Sequence, residues 1–292
     1  MVKPYPILKG QKIGIVALAG PMDSSVVFQG EAYFKKLGYE VVIAPSCFEK
    51  NGYLAGADED RAMDLMILFA DDEIGAIVNM RGGYGSNRIL PYIEGFNFSK
   101  YPKPFIGYSD ITYIHIYLNQ MHKLQTYHGP MIRDLLKQDP LTNNSFLKTG
   151  LLGQQAEIVN VKFLNDKRNI ITGPLIGGNL SIICTTLGTR EEIDTRNKIL
   201  FLEEVGEEPY AVDRLLLHLL HAGKIQDSAG IILGDFSGEN KPAIMKTVRE
   251  ILLPTGKLIA TGIKAGHMVP NLTLPLGAIC VMDPVRKTIN LG

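Results

Sequence analysis

Phe105-Ile106-Gly107-Tyr108-Ser109-Asp110-Ile111-Thr112 decides how this chain is read. An apolar pair ends in a glycine, and a serine follows on the threshold of residues able to begin a helix. The pattern predicts a short buried strand that turns sharply into a helix, with Ser109 at the turn and its hydroxyl pointing out of the sheet. The first amides of such a helix, with its positive dipole end, suit an oxyanion. Two readings of Ser109 stand side by side: a nucleophile, or with Asp110 a helix cap. The usual hydrolase elbow, Gly-x-Ser-x-Gly, needs a glycine where this chain has Ile111.

Working outward, the flanking segments alternate between strand and helix. Lys12–Leu18 is a short β-branched run closed by Gly20-Pro21. Asp23 or Ser24 can cap a helix to about Leu37, with Val27, Phe34 and Leu37 inward and Gly38 at its end. Tyr39–Ala44 is a second strand, Asp58–Phe69 a second helix, Gly75–Met80 a third strand and Pro104–Tyr108 a fourth. This alternation predicts parallel βαβ units, in which ligands sit beyond the C-terminal ends of the strands. Past residue 140 the texture changes. Glu157–Ile171 reads as antiparallel strands, Gly173–Asn179 as a loop, and Leu180–Leu187 as a helix. Lys198–Leu202 and Gly230–Gly234 read as strands, Tyr210–His221 and Ala243–Leu253 as helices, and Ala278–Leu291 as short strands. The expected fold class is α/β. A Rossmann-like N-terminal domain with a parallel sheet spans residues 1–150. A β-rich mixed C-terminal domain spans residues 165–292.

With 292 residues, 46% hydrophobic and 21% charged, the chain has the composition of a globular protein with a real core. Its formal net charge is zero, which argues against nucleic acid or an acidic membrane surface as partner. Cys47, Cys184 and Cys280 lie far apart and form neither a metal-ligand pair nor a disulfide framework. The N-terminus lacks the apolar core of a signal peptide, and no run approaches the ~18 residues of a membrane span. The expected location is the cytoplasm.

Chemistry-bearing segments are few. Gly14 and Gly20 fall at the wrong offsets for a dinucleotide fingerprint, and neither a phosphate-binding G-x-x-x-x-G-K-[ST] loop nor H-E-x-x-H occurs. Arg81-Gly82-Gly83-Tyr84-Gly85 follows the third strand, and its glycines free backbone N–H groups for close approach to an anion or carbonyl oxygen. A serine nucleophile needs a base, and the base an orienting acid. Of six histidines, His115 falls in the helix after Ser109, directed away from its tip. His122 and His128 sit at the polar end of that segment, and His218 and His221 share a face of an amphipathic helix. His267 lies in a glycine-containing loop after the strand Lys257–Ala260, where catalytic side chains are often carried. For the acid, Leu200-Phe201-Leu202 runs directly into Glu203-Glu204. A carboxylate there is rigid and partly desolvated, although composition alone favours a solvated loop that both begin with Glu207 and Glu208.

Five segments together resemble the LD-carboxypeptidase family of serine peptidases. They are Arg81-Gly82-Gly83-Tyr84-Gly85, Gly107-Tyr108-Ser109-Asp110, Ile176-Gly177-Gly178-Asn179-Leu180, Phe201-Leu202-Glu203-Glu204 and Gly266-His267. The family includes murein tetrapeptide carboxypeptidases and microcin C immunity-type hydrolases. The resemblance implies Ser109 as nucleophile, Glu203 as orienting acid with Glu204 the alternative, and His267 as base. The backbone N–H groups of Gly83 and Asp110 are candidates for the oxyanion hole. It further implies release of a terminal D-alanine from an amide with an L-configured centre, no metal or organic cofactor, and a homodimer. The alternatives are cleavage of a peptidyl or aminoacyl nucleotide amide, and a non-catalytic peptide-binding protein on the same frame. A terminal carboxylate calls for an arginine or lysine, which the sequence does not single out.

Overall fold

The computed structural model describes every residue from Met1 to Gly292. Its strands, in chain order, are β1 (Lys12–Val16), β2 (Val41–Ile43), β3 (Ile74–Asn79), β4 (Phe105–Gly107), β5 (Thr126–His128), β6 (Ala156–Ile158) and β7 (Lys162–Phe163). They continue as β8 (Ile171–Asn179), β9 (Ile199–Val205), β10 (Gly230–Ser237), β11 (Ile259–Thr261), β12 (Leu274–Leu276), β13 (Ile279–Asp283) and β14 (Thr288–Leu291). Two sheets result, a six-stranded one ordered β12-β5-β4-β3-β1-β2 and an eight-stranded one ordered β6-β14-β13-β8-β9-β10-β11-β7.

In the first sheet β2, β1, β3, β4 and β5 run parallel. Every residue of β3 is buried, as parallel strands covered on both faces require. The helix Ser24–Lys36 starts where Asp23 accepts the Ser25 N–H, and it buries Val27, Gly30 and Phe34. The helix Asp58–Ala70 carries Asp58, Glu59 and Asp60 in its first turn, where the dipole favours negative charge. The sixth strand comes from the far end of the chain: β12 pairs antiparallel with β5, Leu274 opposite His128.

The second sheet has a parallel centre, β8-β9-β10-β11, flanked by antiparallel pairs. Two expectations need correction here. Glu157–Ile171 supplies only the short β6 and β7 before β8 begins. These pair with β14 and β11, not with each other. Gly173–Asn179 is no loop but the end of β8. Its glycines are required by close approach. A Cβ on Gly177 would lie 2.0 Å from the Phe201 carbonyl oxygen, and one on Gly178 2.5 Å from Thr112 Oγ1. Both sit at positive φ, 126° and 145°, where other residues are strained.

Those glycines bring the sheets together. The helix Thr112–Met121, which follows β4, packs against β8, and Thr112 Oγ1 accepts the Asn179 N–H at 3.1 Å. The C-terminal ends of β3 and β4 thereby face the C-terminal half of β9.

Candidate active site

β4 ends at Gly107, and one 3-10 turn, Ser109–Ile111, precedes the helix Thr112–Met121. Ser109 holds this sharp turn at φ 63°, a left-handed conformation that costs a non-glycine residue about 1–2 kcal/mol. Neighbours enforce it. His115 Nε2 donates to the Gly107 carbonyl at 2.8 Å, and its Nδ1 accepts from Thr126 Oγ1 at 2.9 Å. This buried ring is pushed down to about 4 by desolvation, so it is neutral and serves as a fixed brace. On the other side, Ser86 N–H donates to Asp110 Oδ2 at 2.8 Å and Ser86 Oγ to the Asp110 carbonyl at 2.7 Å. The Ser109 turn is thus tied to the glycine loop.

That loop lies directly over Ser109. A Cβ on Gly82 would stand 2.9 Å from Ser109 Oγ. The Gly82 carbonyl accepts the Gly20 N–H at 3.3 Å, which seats the loop against the end of β1. The N–H groups of Gly83 and Asp110 donate to no acceptor of the chain.

His267 arrives from the second half of the chain. Its Nε2 is 3.1 Å from Ser109 Oγ, and its Nδ1 is 2.7 Å from Glu203 Oε2. Gly266 permits the approach, since a Cβ there would lie 2.8 Å from Glu203 Oε2. The loop is anchored at both ends. Gly266 N–H donates to Asn271 Oδ1 at 3.0 Å, and Asn271 N–H to Thr142 Oγ1 at 2.9 Å. The Tyr108 ring meets the imidazole edge-on, centroids 4.8 Å apart.

Glu203 is fully buried and reaches only His267. Glu204 turns to the other face of β9, because successive strand side chains alternate. Its carboxylate accepts from Asn179 Nδ2, from Ser181 N–H and Oγ, and from Val205 N–H, all within 2.9 Å. It therefore anchors the N-terminus of the helix Leu180–Thr185. Burial alone disfavours a charged His267, yet the hydrogen bond and charge of Glu203, with Glu204 and Asp134 behind it, hold the ring above its usual 6.5. Burial pushes Glu203 upward, and its bond to His267 opposes that.

The structure brings Ser109, Glu203 and His267 into one hydrogen-bonded line, with Asp110 following Ser109 and Gly83 following Gly82, which lies on the serine, and it keeps Glu204 apart. His128, read as polar, is buried between Tyr108 and Phe201 with both ring nitrogens unpartnered, and burial holds it well below 6.5. His122 Nε2 is likewise buried and unpartnered. The residues missed in the sequence are those that brace the site: Ser86, His115, Thr142 and Asn271. Their types carry no chemical signature, and only three-dimensional contact distinguishes them. No group of three or more His, Cys, Asp or Glu side chains is arranged to hold a metal, and no helix is long and apolar enough to cross a membrane. A carboxylate, an imidazole and a hydroxyl in hydrogen-bonded line can move the hydroxyl proton to the ring, and two uncommitted amides can receive an oxyanion.

Comparison with known proteins adds a second line of observation. Residues 13–129 match the LD-carboxypeptidase N-terminal domain, and residues 172–282 the LD-carboxypeptidase C-terminal domain. A probable murein peptide carboxypeptidase of Bacillus subtilis (strain 168) is 36% identical over 98% of this chain and 93% of its own. A murein tetrapeptide carboxypeptidase of Pseudomonas aeruginosa is 28% identical over 94% of each. The crystal structure of a muramoyltetrapeptide carboxypeptidase from Oxalobacter formigenes superposes with a TM-score of 0.87. It has 27% identity and covers 96% of this chain and 98% of that one. A microcin C7 self immunity protein, MccF, in complex with aspartyl sulfamoyl adenosine, superposes with a TM-score of 0.90 over 100% of this chain and 98% of its own. At 24% identity that likeness is one of fold.

Proposed function

The chain belongs to the LD-carboxypeptidase family of serine peptidases, and from that premise we propose that it releases the terminal D-alanine of murein tetrapeptide. The observation that carries this reading is the hydrogen-bonded line Glu203–His267–Ser109 beside the free amides of Gly83 and Asp110. Ser109 Oγ attacks the amide carbonyl carbon, and His267 Nε2 takes its proton. The developing oxyanion is received by the two amides, each such donor worth roughly 3–4 kcal/mol in the transition state. Glu203 keeps the imidazole in the tautomer that has Nε2 free and stabilises the cation that forms. His267 then gives the proton to the departing D-alanine amine. Water, activated by the same ring, clears the acyl-enzyme. Nucleophile and base come from different halves of the chain, so the reaction depends on how the two sheets are seated.

The reading places this reaction in cytoplasmic murein recycling and in a homodimer, which sedimentation of the purified protein checks. The decisive experiment incubates the protein with murein tetrapeptide and, separately, with an aminoacyl-sulfamoyl adenosine, and follows mass. Loss of one alanine from the tetrapeptide, absent with Ser109→Ala, is the expected result. Cleavage of the nucleotide amide alone reassigns the chain to the detoxifying chemistry. Cleavage of neither, with no labelling of Ser109 by a fluorophosphonate, removes the hydrolase reading.

A further inference from the structure

Resting on the carboxypeptidase reading, we propose that Arg81 binds the substrate's terminal carboxylate and makes the site select for a free C-terminus. An enzyme that removes only the last residue must recognise an anion that internal peptide bonds lack. In the substrate that carboxylate is three bonds from the scissile carbonyl carbon, about one residue or ~3.8 Å. Its receptor must therefore lie within a residue's reach of the reacting carbonyl, on a segment beside Ser109.

Arg81 lies on the loop that does so: its Nε donates to the Gly82 carbonyl, and a Cβ on Gly82 would stand 2.9 Å from Ser109 Oγ. It directly precedes Gly82 and Gly83, and its Nη2 lies 3.9 Å from where a Cβ on Gly83 would stand. The guanidinium lies flat against Gly20, where a Cβ would sit 3.6 Å from Nε and 3.7 Å from Cζ. Nε donates to the Gly82 carbonyl at 3.1 Å, and Nη1 reaches the Pro21 carbonyl at 3.5 Å. The group is held in orientation by neutral carbonyls, no carboxylate of the chain pairs with it, and Nη2 is left uncommitted. Gly20, Pro21, Tyr53, Arg81, Gly83 and Tyr84 line a cleft of about 550 Å³. A fixed guanidinium on that wall offers a charge-assisted, directional bond to a carboxylate.

Three other cations are committed or lie outside this cleft. Arg61 is buried and bonds the Leu18 and Gly85 carbonyls and Asp58. Lys241 is paired with Asp235 at 2.6 Å. Arg133 is exposed on the short helix Ile132–Leu135 and lines no part of this cleft.

The test compares a tetrapeptide ending in free D-alanine with the same peptide ending in D-alanine amide, on wild type, Arg81→Gln and Arg133→Gln. Fluorophosphonate labelling of Ser109, which needs no carboxylate, checks that each variant retains its nucleophile. Wild type is expected to prefer the acid. Arg81→Gln should lower the acid-to-amide ratio of kcat/KM on the order of 10–100-fold, mainly through KM on the acid. Arg133→Gln should keep the wild-type ratio. An unchanged ratio in Arg81→Gln with normal labelling overturns the assignment and leaves the carboxypeptidase reading standing. Equal cleavage of acid and amide by wild type overturns carboxylate selection itself. Cleavage of neither peptide by a wild type that labels normally removes the carboxypeptidase reading and the role of Arg81 with it.

Discussion

Glu203 and Glu204 are adjacent carboxylates on β9 that face opposite ways. Glu203 looks toward the end of β4 and meets His267; Glu204 looks back at the helix Leu180–Thr185 and is saturated with donors. Glu203→Gln should lower kcat/KM by about 10³–10⁴, because a neutral amide neither fixes the tautomer nor stabilises the imidazolium. Glu204→Gln should leave kcat within a few-fold and cost about 1–3 kcal/mol in denaturant unfolding, since one buried acceptor becomes a donor facing donors. The reverse ranking in rate would reassign the acid. The same contact sets a pH signature. In the proposed mechanism His267 works deprotonated, and Glu203 holds its pKa above 6.5, so the acid limb of kcat/KM should lie above pH 6.5. In Glu203→Gln the limb should move down, because burial then acts on the ring with less opposition. A limb that stays put would sever His267 from Glu203. The choice between the two carboxylates could not be read from the sequence. Both follow the same apolar run, and which face of a strand looks at Ser109 depends on the other sheet.

At the scale of elements, the turn from β4 into its helix was legible because glycine, serine and aspartate mark a strand-to-helix corner locally. Its bracing was not, since Gly82 and His115 act through contacts across the fold. Gly82→Ala places a methyl 2.8 Å from Ser109 Cβ and 2.9 Å from Oγ. The loop or the serine must move, so kcat should fall by at least ~10² and fluorophosphonate labelling should slow in proportion. Labelling at the wild-type rate would show that the loop has slack. His115 permits a test through stability. Its pKa is about 4 in the fold and ~6.5 when unfolded, so below pH 6.5 the unfolded chain takes up a proton that the folded chain refuses. Its stabilising contribution is full above pH 6.5 and is lost as pH falls toward 4, by up to about 1.4 kcal/mol per pH unit. His115→Phe should flatten the fall in urea midpoint over that range relative to wild type. Equal slopes would mean that His115 titrates normally in the fold. The run Gly173–Asn179 misled for a related reason. Glycine signals special backbone, but sequence does not say whether a turn or a close neighbour demands it, and here Phe201 and Thr112 do.

For the whole molecule, the alternation of strands and helices made β1 to β4 of the first parallel sheet readable, whereas β5 is only three residues long and was not. What lay beyond sequence was the return of the chain. β12 pairs with β5 and completes the first sheet, and Leu274 and Leu276 are buried there. Asn271 and Thr273 donate through their N–H groups to Thr142 Oγ1 and Ser145 Oγ, both at 2.9 Å, on the helix Pro140–Ser145. The loop that carries His267 is therefore held by the half that carries Ser109. This seating fixes their 3.1 Å separation, and it also makes the first half incomplete by itself. A fragment of residues 1–150 would leave the edge of β5 unpaired and expose the apolar surface that Leu274 and Leu276 cover, the situation that promotes edge-to-edge association. The expected outcome is a fragment that associates or melts without cooperativity, whereas co-expression with residues 151–292 restores a soluble complex that labels at Ser109. A monomeric fragment with a sharp thermal transition would show instead that β12 is an accessory strand, and that the placement of His267 rests on the contacts of β8 with Thr112 alone.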